Sequence, residues 1–365
     1  MVYYWLIVAF LLGAVVGSFL NVCIARMPLE KSILWPGSRC GSCLQRIKWY
    51  DNVPLLSYLW LRGRCRSCGA KFSPRYLVIE FLTAAGFAAL FYAEVTSNIH
   101  GWPTTQDQRF AINNGFYPWQ WWAVWVCHVT LFSFLMVAAA CDLAGREIPL
   151  QLTITGTFIG LIFAVLLPWP WPRTPDQAVP KAQPNMLPGF QWQFAGGGLK
   201  EGLYPWPVWG PLPDWFPAGS WQLGLATGLA GMLVGTFMLR GIGFLFSKGL
   251  GREALGLGDA DLMMMAGAFM GWQPVVVAFF LSVMPALVFG ALQYGVKRDN
   301  ELPFGPSLAM GIVLTFLCWP WIGPQIQSLF FWGKMLGAVA VLGALFMLVS
   351  SYVIRVSRRR NPEQK

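Results

Sequence analysis

The sequence predicts an all-α polytopic membrane protein: about eight transmembrane helices plus a short crossing or half-membrane helix, with one small cysteine-bearing loop domain. Composition is the first reason. Of 365 residues, 56% are hydrophobic and 12% charged, about half the charged fraction of an ordinary soluble domain. Length of the apolar runs is the second: residues 3–24, 77–93, 119–141, 152–167, 221–239, 274–296, 307–322 and 330–354 approach the roughly 20 helical residues that cross a ~30 Å hydrocarbon core. Helices follow because backbone groups in lipid must satisfy one another within the segment. Third, the basic residues cluster between these runs.

The run 3–24 starts without a basic leader and lacks a small-residue cleavage site after it, so it is expected to be a retained helix. Residues 27–75 carry nine Lys or Arg against Glu30 and Asp51, which places this loop in the cytoplasm by the positive-inside rule and the amino terminus outside. The carboxyl-terminal "RVSRRRNPEQK" predicts a cytoplasmic tail. The net charge of +10 thus reports topology on a lipid bilayer, and no nucleic-acid partner is expected. Alternation puts 96–118 and 168–219 outside and 142–149 and 249–261 inside. For Lys297 and Arg298 to return inside, 259–271 must be a short crossing or half-membrane helix ending at the "GWQP" turn. The segment 168–219 holds twelve Pro, seven Gly and six Trp, the composition of an irregular external loop with Trp rings at the membrane interface. No internal repeat suggests a transporter of inverted halves.

Eight cysteines fall into two groups. Cys23, Cys127, Cys141 and Cys318 lie in apolar helices, where a thiol acts as a small hydrophobe. Cys40, Cys43, Cys65 and Cys68 form C-x2-C, a 21-residue spacer, and C-x2-C. Each such turn can aim two thiolates at one ion, and four complete the tetrahedral shell of structural Zn²⁺. A cytoplasmic location argues against disulfides. The closed shell leaves no open position, so the expected zinc-ribbon-like cytoplasmic loop domain is structural.

The carboxylates are few. Glu80 and Glu94 flank the second span, Asp142 and Glu147 follow the third, and Glu253, Asp259 and Asp261 precede the short segment. Ionisable groups in or beside spans are costly and point to function. Asp142 in "AAACDLAGREIP" and Asp259 in "GLGDAD" are expected at matching depth on the cytoplasmic side. Two adjacent carboxylates share a proton and can activate water while protonating a leaving amine, the chemistry of an aspartyl protease. Gly256 and Gly258 allow a sharp turn beside Asp259. Zinc-protease chemistry lacks ligands, since His100 and His128 are the only histidines and H-E-x-x-H is absent; His128 is expected as a packed core residue. Ser18, Ser57 and Ser282 have no His or Lys partner readable from spacing.

Four elements in order resemble the type IV prepilin peptidases, the leader peptidase/N-methyltransferase family of GxGD membrane aspartyl proteases. They are "GSFLNVCIARMP" (17–28), the two C-x2-C pairs with "WYDNVPLLSYLWLRGRCRSCG" between and around them, "DLAGREIP", and "GLGD" followed by "PFGP" (303–306). The resemblance implies Asp142 and Asp259 as the catalytic pair, zinc on Cys40, Cys43, Cys65 and Cys68, and a bacterial inner-membrane location with the active site facing the cytoplasm. It implies cleavage of type IV prepilins or secretion pseudopilins after a Gly, and methylation of the new amino terminus with S-adenosylmethionine. The expected divisions are 1–26, first transmembrane helix; 27–75, cytoplasmic zinc and methyltransferase part; 76–167, helices with the first aspartate; 168–219, external loop; 220–354, helices with GxGD; and 355–365, basic tail. Two departures stand out: Asp261 occupies a position where the family keeps Lys, and Leu150 one where it keeps a polar residue. The competing readings are a peptidase without methyltransferase activity and a non-catalytic membrane assembly or transport component.

Overall fold

The structure is a computed structural model that describes residues 2–100, 106–167, 220–250, 256–297, 303–330 and 333–360. The expected external loop 168–219, Glu253, Arg298 and the last five residues of the basic tail lie outside the described residues. Apart from two isolated antiparallel bridges, Arg39 with Arg46 and Arg64 with Lys71, the described residues form helices and turns. The chain divides into two compact units, Met1–Leu152 and Thr153–Lys365.

In the first unit, α1 (Val2–Arg26) runs into the cysteine loop, which contains the short α2 (Leu56–Trp60), and the chain returns through α3 (Arg75–Leu90). A single π-helical turn, Phe91–Thr96, extends α3. After α4 (Gln106–Asn113) comes α5 (Trp119–Leu143), which packs on both α1 and α3. The contact of α1 with α3 is the most extensive in this unit. Its cause is local: Gly13 and Gly17, four residues apart, share one helical face. A Cβ on Gly13 would stand 2.8 Å from the Ala84 Cα, and one on Gly17 2.8 Å from the Glu80 Cα. Bare glycine backbone therefore lets α3 approach as a small-x3-small pair does in membranes. Rings close the other end of the unit. Phe91 packs on Trp122 and Trp125, and the Trp125 indole donates to the Phe87 carbonyl.

In the second unit, reached through α6 (Leu150–Leu166), α7 (Trp221–Leu250) packs closely along the short α8 (Leu257–Met270). Gly231 and Gly267 meet at this crossing, and a Cβ on either would overlap the other's carbonyl. At 14 residues, α8 spans about 21 Å, too short for a full crossing. It matches the short segment expected at 259–271. Gly271, at φ 86°, takes the left-handed conformation that turns the chain into α9 (Trp272–Lys297). α10 (Gly305–Phe330) packs on α9, and α11 (Gly333–Arg360) on α7.

Among the described residues seven helices are long and apolar enough to cross a membrane. The remaining expected span is α6, apolar but 17 residues long. The protein is thus an all-helical, multi-pass membrane protein.

Gly17→Val forces a branched side chain into the α1–α3 contact and is expected to cost about 1–3 kcal/mol. Gly337→Ala, at a position with nothing within 4 Å, should be neutral or stabilising by up to about 1 kcal/mol. Thermal unfolding in detergent checks both.

Candidate functional site

The four loop cysteines converge. Their sulfur atoms all lie within 4.8 Å of one another, with Cys40 Sγ 3.7 Å from Cys68 Sγ and Cys43 Sγ 4.0 Å from Cys65 Sγ. These separations are those of thiols around a common centre, far longer than the ~2.05 Å of a disulfide. Two matching turns make the arrangement. In the first, the Cys40 amide donates to Gln45 O and the Leu44 amide to Cys40 O; in the second, the Cys65 amide donates to Ala70 O and the Gly69 amide to Cys65 O. Leu44 (φ 57°) and Gly69 (φ 71°) both adopt left-handed backbone, so the same conformation is built once from leucine and once from glycine.

These turns aim amides at sulfur. The Cys43 and Ser42 amides hold the Cys40 thiol down at about 6, and the Cys68 and Ser67 amides lower Cys65. At Cys68 the Ala70 amide favours the thiolate, but crowding by the thiols of Cys43, Cys65 and Cys40, with burial, outweighs it and pushes the group up to about 11. Four sulfurs cannot all ionise beside one another without a cation. The donor set and its charge therefore fit Zn²⁺, whose binding would expel the remaining protons.

The two aspartates singled out by sequence lie in different units, and each has a defined local setting. Asp142 occupies the last turn of α5. The helix ends in a glycine cap: Gly145, at φ 65°, donates to Asp142 O, and the Arg146 amide reaches Cys141 O, the double closure of a Schellman motif. "DLAGREIP" thus encodes a helix stop that fixes Asp142 at the helix end. Asp259 stands in the first turn of α8, after Gly256 in extended conformation. There the helix dipole presents its positive end.

Asp261 is resolved by a residue the sequence reading did not single out. Its Oδ1 accepts a 2.9 Å hydrogen bond from Arg240 Nη2 of α7. The Asp261 side chain is 12% exposed and that of Arg240 52%, so a nearly buried charge is matched by a partner reaching in from the surface. A lone arginine in the apolar stretch "FMLRGIGF" was the available signal.

The first unit also holds a cavity of about 450 Å³ between α1, α3 and the cysteine loop, lined by Asn21, Cys40, Asp51 and Glu80 among others. Asn21 is 2% exposed; its Nδ2 donates to Tyr76 O, while its buried Oδ1 has no hydrogen-bond partner. Glu80 Oε2 accepts from the Leu55 amide. Arg66 grips Asp51 with both Nε and Nη2 and holds its carboxyl below the usual range.

Gly69→Leu is expected to destabilise the loop by about 1–2 kcal/mol through its left-handed φ alone, because nothing lies within 4 Å of that position. Leu44→Gly should gain at most about 1 kcal/mol, since glycine also loosens the unfolded loop. Competition between the protein and a zinc chelator ranks the three chains. The sign with pH also follows. A thiol depressed to about 6 contributes stability that is complete above its unfolded value near 9 and is lost as pH falls through 6. Zinc retention should therefore fail on acidification below about pH 6, read with a zinc-sensitive dye.

Residues 11–94 match the family profile described as the bacterial peptidase A24 N-terminal domain, and residues 214–291 match that of the type IV leader peptidase family. The first contains the cysteine loop, the second "GLGDAD"; Asp142 falls between them. Several relatives carry the name prepilin leader peptidase/N-methyltransferase. That of Myxococcus xanthus is 31% identical over 283 residues, 78% of this chain and 61% of its own length, so the match spans less than two thirds of that protein. Those of Pectobacterium carotovorum and Dickeya chrysanthemi are 26% and 27% identical, covering 84% and 86% of this chain and 90% and 94% of their own lengths. No solved structure matches the chain. With the two profiles matched in order and relatives aligned over most of its length, the chain is similar to the prepilin leader peptidases.

Proposed function

We propose that this protein is a bacterial inner-membrane aspartyl endopeptidase that removes the leader of prepilins or secretion pseudopilins after a Gly and then N-methylates the new amino terminus. The observation that carries the reading is the presence, in one chain, of the cysteine-loop domain and of a leader-peptidase domain whose GxGD aspartate opens a short buried helix. The names of the homologous proteins support it.

Asp142 and Asp259 are the proposed catalytic pair. Asp259, at the amide end of α8, suits the base: it takes a proton from water as the water oxygen attacks the scissile carbonyl. Asp142, at the carbonyl end of α5, is the proton carrier that gives its proton to the departing amine as the C–N bond breaks. Asp261 has no part in proton transfer, because Arg240 engages it. By the positive-inside rule the cysteine loop and both aspartates face the cytoplasm, where a basic leader would be presented.

For the methyl step, the cavity beside the cysteine loop is the proposed site. S-adenosylmethionine, when bound, supplies a methyl group on a sulfonium for transfer to an amine nitrogen. The cavity's acceptors fit both reactants: Asn21 Oδ1 lacks a donor, and Glu80 lines the same space. They would orient an amino group and neutralise cationic charge. Cys40, Cys43, Cys65 and Cys68 would hold structural zinc that fixes the wall carrying Cys40.

Asp142→Asn and Asp259→Asn should each lower processing of a co-expressed prepilin at least about a hundredfold, while Asp261→Asn keeps substantial cleavage. Mass spectrometry of the pilin amino terminus reads both reactions. Unchanged cleavage by either of the first two variants overturns the catalytic assignment. Asn21→Ala should leave leader removal intact and reduce methylation about tenfold; equal loss of both activities would remove the methyl-site assignment.

A further inference from the structure

Glu94, His100 and His128 form a second cluster in the first unit, and leader cleavage makes no use of it. Glu94 stands on the π-helical turn after α3, His100 on the turn that follows Thr96, and His128 in the middle of α5. Glu94 has no exposed surface, and both imidazole side chains are 3% exposed. One ligand atom from each residue lies within 4.8 Å of the others.

An ion pair accounts for only part of this arrangement. Glu94 Oε1 meets His128 Nδ1 in a close hydrogen bond, and His100 Nε2 lies 3.7 Å from the same oxygen. Glu94 Oε2, equally buried, has no hydrogen-bond partner. A buried carboxylate oxygen left unsatisfied is costly, so a group that engages it would be strongly favoured. The backbone is shaped to the same end: a π turn is rare, interrupts an apolar helix and recurs at functional sites. Here it carries Glu94 towards α5. The rings of Phe91, Trp122 and Trp125 beside the turn make an apolar shell that strengthens charge interactions.

We propose that Glu94, His100 and His128 bind a divalent transition-metal ion of the zinc class, at a site separate from the four thiols. Two imidazoles and one carboxylate suit such an ion, whereas Ca²⁺ and Mg²⁺ prefer all-oxygen shells. Glu94 and the cysteine loop lie at opposite ends of α3 and its π turn. The 19 residues from Arg75 to Glu94 correspond to about 28 Å, so one ion cannot serve both sites. The ion would tie the chain after α3 to the middle of α5.

The test uses the full-length protein and Co²⁺ as probe. A Cys40→Ser/Cys43→Ser/Cys65→Ser/Cys68→Ser chain should bind one Co²⁺ with weak visible bands and no sulfur-to-cobalt charge-transfer band. Adding His100→Ala or Glu94→Gln should weaken binding at least tenfold. Absence of Co²⁺ binding by the cysteine-free chain, or binding unaffected by both changes, overturns the proposal. If the cysteine-free chain does not fold, the native protein decides: two Co²⁺ per chain, falling to one in His100→Ala, is the expected result, and one in both chains refutes it. Leader cleavage enters neither readout, so failure here is distinct from failure of the peptidase reading.

Discussion

Direct contact between helix backbones at glycine is the constraint on which both units depend. In lipid, apolar side chains gain little by leaving one apolar surface for another, so helices associate by close packing and polar contacts. Gly13 and Gly17 bring α3 against α1, and Gly231 and Gly267 bring α8 against α7. Each approach positions chemistry. The first fixes the return strand of chain that closes the cysteine loop and brings Glu80 beside Asn21 in one cavity; the second sets Asp261 within reach of Arg240.

Buried charge is handled differently in each place. Asp261 is matched by a guanidinium that is itself half exposed, so only the carboxylate is nearly buried. Glu94 faces two imidazoles with no exposed surface of its own, a far more demanding environment. The loop thiols use backbone amides: the C-x2-C turns stabilise thiolates at Cys40 and Cys65, while sulfur crowding leaves Cys68 protonated until a cation arrives. Asp259 stands in the first turn of α8, at the positive end of that helix's dipole.

How much of this was legible depends on sequence distance. The cysteine cluster is spelled by two local turns, and its four members were readable from spacing. The short helix before "GWQP" was inferable from hydropathy and the parity of basic loops, and α8 ends at Gly271 as that turn predicts. Asp142 and Asp259 stood out by residue type at apolar boundaries, although no spacing rule brings together residues so far apart. Arg240 went unnoticed as the partner of Asp261 because 21 residues and a helix crossing separate them. His128 was expected as a core residue; it is buried, yet it is also bonded to Glu94, 34 residues away.

The sequence alone determined the membrane class, the approximate spans, the four-cysteine loop and the resemblance to the leader peptidases, because each is written in composition or in motifs a few residues long. Tertiary structure decided the pairings: Arg240 with Asp261, Glu94 with two histidines, and the unsatisfied Asn21 oxygen facing a cavity. The physical reason is that a side chain's partner depends on helix rotation and crossing point. Those are set by where glycine permits contact and by a single π turn, and neither leaves a periodic signature in the residues it brings together.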